Sequence, residues 1–282
     1  MLDKNRLKKL ELIVFDLDGT LLNKYGEIGE RSIELVRELK KMGVRFTFAT
    51  GRLHSAIKEF ASLLGLESPL ISLDGAIIKS YPANEIIYES YIKEAYVSKA
   101  IKMAEDALLK VALSYDEAIY YTEENSLVPQ LMEKYEAIFK EIDSYDNYHT
   151  KTLEIVICGD YKKSIKAIEN KMNFPSAFGL KTSFYKSNDQ DGVYFLEIRN
   201  KNCSKGDGLK RLAKHLKINI KNTAVLGDWY NDRSLFRTKA LKVAVANAVE
   251  EIKGMSDHIT KKTNNEDATA EFMELVLEAK KG

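Results

Sequence analysis

Cysteine is scarce in this chain of 282 residues: the two present, Cys158 and Cys203, lie far apart in the sequence. Two such residues give no basis for a disulfide framework, and they suit a reducing compartment. No apolar stretch reaches the ~18 uninterrupted residues of a transmembrane helix, and the apolar run near the N-terminus is too short for a signal peptide. We therefore predict a soluble, cytoplasmic protein without a membrane partner.

The chain also lacks an excess of charge of either sign. Its net charge is +1, so its charge balance does not indicate a nucleic-acid partner. The four histidines show no metal-ligand spacing, which argues against a histidine metal site. A length of 282 residues suffices for one large domain or two ordinary ones, and the oligomeric state stays open.

The N-terminal part alternates short apolar runs with amphipathic stretches. The pattern predicts strands over 11–16, 44–49 and 69–73, and helices over 30–42 and 53–64. Gly43 and Gly65 are suitable stop signals for the two helices. Strands and helices that alternate in this order are typical of a parallel sheet covered by helices.

The middle of the chain is less regular and rich in tyrosine. We predict strands over 85–90, 111–115, 118–122, 153–159 and 192–198, and helices over 98–109, 126–135 and 162–171. From residue 204 the first pattern returns, with helices over 204–216, 231–238 and 266–280 and strands over 223–226 and 241–245. The fold class is therefore α/β, with a Rossmann-like, doubly wound parallel sheet as core over 1–81 and 199–282. An α+β domain is inserted over 82–198.

Carboxylates follow two of the predicted core strands. Asp16 and Asp18 lie within the stretch VFDLDGTLL, residues 14–22, where an apolar run ends, and Asp228 follows soon after the strand over 223–226. Ligands of open α/β sheets bind at the carboxyl ends of the strands, where these residues should meet. Carboxylates are hard ligands suited to Mg²⁺. Taken alone, Asp-Gly-Thr after a strand is also typical of an ordinary turn.

Groups that suit an anion lie at other strand and helix ends. Thr50 and Gly51 follow a predicted strand at the start of a helix, where backbone N–H groups favour an anion. Lys205 lies at the start of another helix and could neutralise a phosphoryl oxygen, or it could be an ordinary surface lysine.

Four segments together resemble, in order, the motifs of the haloacid dehalogenase-like phosphatases. They are DLDGTLL (16–22), ATGR (49–52), the lysine of SKGDGLKRL (204–212) and GDWYND (227–232). Residues 243–267 resemble the tail of the Cof-type subgroup, and the large insert matches that subgroup's type IIB cap. The resemblance covers nearly the whole chain, and it makes the inserted domain a cap that contributes substrate specificity.

The resemblance implies a role for each matching residue. Asp16 would be the nucleophile and a Mg²⁺ ligand. Asp18 would be the general acid and base, with its backbone carbonyl on the metal. Asp228 would ligate Mg²⁺ and Asp232 would support the metal shell. The phosphoryl group would be held by Leu17, Thr50, Gly51, Lys205 and Asn231.

The resemblance further implies Mg²⁺ as cofactor and a small phosphate ester, sugar phosphates first, as substrate. A phosphomutase of the same superfamily and a non-catalytic metabolite-binding protein remain alternatives. Asp74 stands where the subgroup usually has asparagine, and we predict that it contacts a hydroxyl or a cationic group of the substrate. Trp229 and Tyr230 replace smaller or polar residues, and for them we favour packing over substrate contact.

Overall fold

The structure, a computed structural model, describes residues 2–132, 137–173, 179–187 and 190–282. It divides into two compact units. The core unit comprises Met1–Gly51, Ile57–Ile87 and Ser204–Gly282, and the inserted unit comprises Arg52–Ala56 and Tyr88–Cys203. The assignment of a catalytic core to 1–81 and 199–282, and of a cap to 82–198, stays a prediction.

Strands and helices alternate along most of the chain. The strands are β1 Leu12–Phe15, β2 Arg45–Phe48, β3 Leu70–Ser72, β4 Ile77–Lys79, β5 Ile86–Glu89, β6 Lys110–Ser114, β7 Ile119–Tyr121, β8 Phe139–Glu141, β9 Glu154–Gly159, β10 Leu180–Lys186, β11 Tyr194–Asn200, β12 Thr223–Gly227, β13 Leu241–Ala244 and β14 His258–Ile259. The helices are α1 Lys4–Lys8, α2 Glu30–Lys41, α3 Lys58–Leu63, α4 Glu94–Asp106, α5 Val128–Leu131, α6 Lys162–Asn173, α7 Lys205–His215, α8 Arg233–Phe236, α9 Glu250–Met255 and α10 Ala268–Lys281.

The core unit is built on a parallel sheet with the strand order β14-β13-β12-β1-β2. A parallel bridge between Ala49 and Ile71 places the start of β3 beside the end of β2. All four residues of β1 are buried, as expected of a strand covered on both faces. The strand order reverses between β1 and β12, and ligands of open α/β sheets bind at such a switch point.

Helix α2 shows why the predicted helices form in the core unit. Leu35, Val36 and Leu39 lie on one face of α2 and are buried in the core, where α10 packs beside it. Gly43 ends the helix with φ 81°, a left-handed conformation that glycine adopts without the strain of a Cβ atom. The N–H of Val44 then donates to the carbonyl of Leu39.

The inserted unit contains a six-stranded sheet in the order β10-β11-β9-β6-β7-β8. Its pairs are antiparallel except for β7 and β8, which are parallel. Helices α4 and α6 pack on the sheet through a shared apolar cluster, so the α+β prediction for this part is confirmed. The helix predicted over 126–135 is seen as α5, and residues 133–136 lie outside the described residues. Among the described residues, no helix is long and apolar enough to span a bilayer.

Candidate active site

Asp16 and Asp228 lie side by side because each follows one of two paired strands. Phe15 is in register with Leu226, and the N–H of Asp16 donates to the carbonyl of Leu226 at 3.0 Å. The hydroxyl of Thr20 donates to Oδ1 of Asp228 at 2.9 Å, which ties the loop after β1 to the carboxylate after β12. Two distant segments thus place their carboxylates at one sheet edge.

Lys205 is the first residue of α7, and its side chain is fully buried. Its Nζ donates to Oδ1 of Asp16 at 2.5 Å and to Oδ1 of Asp232 at 2.7 Å. Helix α7 can lie this close because Gly206 has no Cβ, which would collide with the backbone of Ser234. The reading of Lys205 as a surface lysine is therefore wrong.

Asp232 supports both the lysine and the loop after β12. One carboxylate oxygen accepts from Lys205, and the other accepts from the N–H groups of Asp228 at 2.9 Å and Trp229 at 3.2 Å. Gly227 must be glycine, because a Cβ there would overlap the Asp232 carboxylate. Asp232 thus orients Lys205 and Asp228 at once.

The carboxylates of this cluster repel one another in a buried setting. Burial, followed by repulsion from Asp232, raises the pKa of Asp16 well above its ordinary value, although the charge of Lys205 acts in the opposite direction. The same two causes raise the pKa of Asp228 to about 7. Burial opposes the charge of Lys205, but Asp16, Asp232 and Asp74 outweigh it and raise the lysine's pKa. Such perturbed groups are typical of functional sites.

The cluster suits a divalent cation. Asp16, Asp228 and Asp232 each offer a carboxylate oxygen, and these oxygens lie within 4.8 Å of one another. Oxygen donors and unbalanced negative charge fit Mg²⁺. Since both oxygens of Asp232 already accept hydrogen bonds, Asp16 and Asp228 are the better candidates for ligands.

The other predicted site residues lie in the loops around this cluster. Thr50 is buried, donates its N–H to Ile71 at 3.0 Å and accepts the N–H of Asp74 at 2.9 Å. A Cβ on Gly51 would lie 3.5 Å from Oδ1 of Asp74, so that carboxylate borders the Thr50-Gly51 turn.

The remaining residues differ mainly in exposure. The side chain of Leu17 is buried in the core, whereas Asp18 and Asn231 are exposed. Asp18 lies outside the carboxylate trio that could hold a metal. Trp229 and Tyr230 are 46% and 49% exposed and pack edge to face with their ring centres 5.2 Å apart.

Sequence reasoning missed three polar residues beside the site. Thr20 contacts Asp228, and its place within the motif that contains Asp16 was a usable signal. Asn247 donates to the carbonyl of Gly19, and Asn264 donates to the carbonyl of Leu22, each at 2.8 Å. Asn247 and Asn264 lie more than 200 positions from the residues that they contact, so no local pattern indicated these two contacts.

The sequence and the fold both resemble those of known proteins. Residues 13–273 match the family model of the haloacid dehalogenase-like hydrolases. The chain is 27% identical to phosphatase YwpJ of Bacillus subtilis, over 95% of this chain and 100% of that protein. It is 25% identical to the HMP-PP phosphatase of Yersinia pestis, over 86% of each. A crystal structure of a haloacid dehalogenase-like hydrolase from Bacteroides thetaiotaomicron superposes with a TM-score of 0.81 at 27% identity, covering 94% of this chain and 98% of that one.

Proposed function

Because this chain belongs to the haloacid dehalogenase-like hydrolases and its relatives are named phosphatases, we propose that it is a Mg²⁺-dependent phosphatase of the Cof type. Its substrates are small phosphomonoesters, with sugar phosphates first, and the reaction passes through an aspartyl-phosphate. We also propose that it acts in the cytoplasm and that the inserted unit contributes substrate specificity.

One observation carries the proposal: a fully buried lysine is hydrogen-bonded to Asp16. Burying a charged lysine and a charged carboxylate costs less free energy when the two are hydrogen-bonded as an ion pair than when each is buried without a partner. The charge of Lys205 favours the ionised form of Asp16, which a nucleophilic carboxylate requires, and so opposes the effect of burial and of Asp232 on the pKa of Asp16. Asp232 orients the same ammonium group from its other side.

In the first step, a carboxylate oxygen of Asp16 forms a bond to phosphorus while the bond between phosphorus and the ester oxygen breaks. Asp18 donates its proton to the departing oxygen, a step suited to an exposed carboxyl beside the nucleophile. Thr50, Gly51, Leu17 and Asn231 would bind the phosphoryl oxygens.

In the second step, Asp18, now ionised, takes a proton from water, and the oxygen of that water attacks phosphorus. The bond to Asp16 breaks, and inorganic phosphate leaves. Asp16 and Asp228 would hold Mg²⁺, with the backbone carbonyl of Asp18 beside them and Asp232 supporting them. The cation would offset the repulsion between the carboxylates and the phosphate.

Release of free phosphate tests the proposal. A panel of sugar phosphates, nucleotides and phosphorylated cofactor precursors, with HMP-PP among them because a relative is named for it, should give phosphate with Mg²⁺ and none with EDTA. Asp16→Asn should abolish release, because the amide is a far poorer nucleophile. Asp191→Asn is the matched control, since that carboxylate is 96% exposed. Activity retained by Asp16→Asn would refute the mechanism, and an isomeric sugar phosphate as product would instead indicate a mutase.

A further inference from the structure

The loop that carries Asp18 is held from outside by two asparagines. The amide nitrogen of Asn247 donates to the carbonyl of Gly19, and that of Asn264 donates to the carbonyl of Leu22, each at 2.8 Å. The two asparagines are also joined, because the N–H of Asn264 donates to Oδ1 of Asn247 at 2.8 Å. We call this pair, Asn247 and Asn264, the asparagine clamp.

The partners of the clamp determine which way each amide points. A backbone carbonyl can only accept a hydrogen bond, and a backbone N–H can only donate one. Asn247 therefore must present its nitrogen to Gly19 and its oxygen to Asn264. Replacing the amide by a carboxylate would keep the acceptor and remove the donor.

The clamp rests on well-supported backbone. Asn264 begins a short turn, Asn264–Glu266, in which the Glu266 carboxylate accepts the N–H of Thr263 at 3.0 Å and its hydroxyl at 2.9 Å. On the other side, the N–H of Val249 donates to the carbonyl of Asp228 at 2.9 Å, two residues beyond Asn247. The clamp thus links the Asp18 loop to the segment that follows the Asp228 strand.

The Asp18 loop needs such support. The N–H groups of Thr20, Leu21 and Leu22 all donate to the carbonyl of Leu17. The carbonyls of Gly19 and Leu22 accept hydrogen bonds from the clamp. The side chain of Asp18 is exposed, and the backbone of this loop sets the point from which that side chain extends. Proton transfer requires donor and acceptor in close, aligned contact, and a displacement of about 1 Å can cost about 100-fold in rate.

We infer that Asn247 and Asn264 are positioning residues that hold Asp18 where it can protonate the leaving oxygen. The inference rests on the proposed function, since it presumes that Asp18 is the general acid. A loosened clamp should slow the cleavage of esters whose leaving oxygen needs a proton. It should affect much less those whose leaving group departs as a stable anion.

The test compares kcat/KM for benzyl phosphate and p-nitrophenyl phosphate, which reports the step up to phosphoryl transfer. Benzyl alcohol is a poor leaving group that needs the proton, whereas p-nitrophenolate departs without it. Asn247→Ala should lower kcat/KM for benzyl phosphate about tenfold more than for p-nitrophenyl phosphate. Asn247→Asp and Asn264→Asp, which keep the acceptor, remove the donor and add a negative charge, should shift the ratio in the same direction.

Asn265→Ala is the matched control. Asn265 accepts the N–H of Lys24 at 2.8 Å, so it binds the same stretch of chain but five residues beyond Gly19. The ratio of the two substrates should be unchanged in this variant. Melting temperatures of all variants show whether each is folded. If Asn247→Ala does not fold, the comparison of the two substrates is made with Asn264→Asp.

Two failures are distinguishable. If the unmodified protein hydrolyses neither ester and releases phosphate from no compound of the panel described above, the proposed function is wrong. If it hydrolyses both and the clamp variants lower both rates by the same factor, the asparagines are merely structural and the inference is overturned.

Discussion

At the scale of single residues, Lys205 is the group on which the site depends most. Its ammonium is fully buried and is hydrogen-bonded to Asp16 and Asp232, two carboxylates that are themselves buried. Removing one partner from a buried ion pair leaves a charge without compensation, which costs far more than the net value of the pair.

We expect Lys205→Met to abolish phosphatase activity and to lower the free energy of unfolding of the metal-free protein by about 3–5 kcal/mol. Urea denaturation in EDTA measures the change. Lys210→Met is the control from the same helix, because the Lys210 side chain is 62% exposed and its pairing with Asp207 should contribute at most about 1 kcal/mol. Equal denaturation midpoints for the two variants would contradict this account of Lys205.

At the scale of elements, the start of α2 is stabilised by a residue from the other end of the chain. The N-cap residue Gly29 has no side chain to offer, and the Asp267 carboxylate accepts the N–H of Ser32 at 3.0 Å and its hydroxyl at 2.5 Å. A Cβ on Gly29 would overlap that carboxylate. Asp267, although distant in the sequence, thus caps the N-terminus of α2 in the folded protein.

We expect Asp267→Ala to destabilise the protein by about 1–2 kcal/mol, the usual cost of losing a helix cap. Asp267 has φ 62°, a conformation that asparagine also tolerates, so Asp267→Asn should cost less than the alanine variant. Thermal or urea unfolding of the two variants makes the comparison. A loss of stability in Asp267→Asn as large as in Asp267→Ala would show that the cap does not account for the contribution of Asp267 to stability.

Sequence patterns predicted the strongly patterned elements and missed several strands that are short or mixed in sequence. The run of apolar residues in β1 and the helical spacing in α2 are local signals, and both elements form where they were expected. Strands β4 and β8 have three residues each, and β10 is a mixed sequence with two lysines. Their pairing depends on neighbouring strands, a tertiary effect that local propensity does not contain.

For the site, too, contacts marked by a local sequence signal were predictable, and contacts between distant segments without such a signal were not. Strand ends indicated that Asp16 and Asp228 would meet, and the register of β1 with β12 confirms it. Local sequence did not indicate the hydrogen bond between Lys205 and Asp232 or those of Asn247 and Asn264. Each depends on how loops from distant segments of the chain come together.

At the scale of the whole molecule, the carboxylate cluster couples folding to pH and, through the proposed Mg²⁺ site, to metal. The pKa of Asp228 is about 7 in the folded protein and near 4 in an unfolded chain, so the folded protein binds its proton more tightly. That contribution to stability is complete below pH ~4 and is lost as pH rises through ~7. The proposed Mg²⁺ would compete with the proton, so its stabilising effect should grow with pH.

We therefore expect Mg²⁺ to raise the melting temperature more at pH 8 than at pH 5.5, relative to EDTA at each pH. Asp228→Asn removes the titrating group and one proposed metal ligand, so it should flatten the pH dependence in EDTA and reduce the effect of Mg²⁺. Differential scanning calorimetry of both proteins at the two pH values provides the measurement. An equal Mg²⁺ shift at both pH values in the unmodified protein would contradict the linkage.

The pairing of β1 with β12 has a consequence for how the protein is made. Phe15 must find Leu226, so the sheet cannot close until a ribosome has added roughly 200 further residues to the growing chain. At about 5–20 residues per second, the apolar strand β1 waits on the order of ten to forty seconds for its partner. During that time β2 can pair with one edge of Leu12–Phe15, but the edge that pairs with β12 stays open, and a chaperone that shields apolar segments would find its target there.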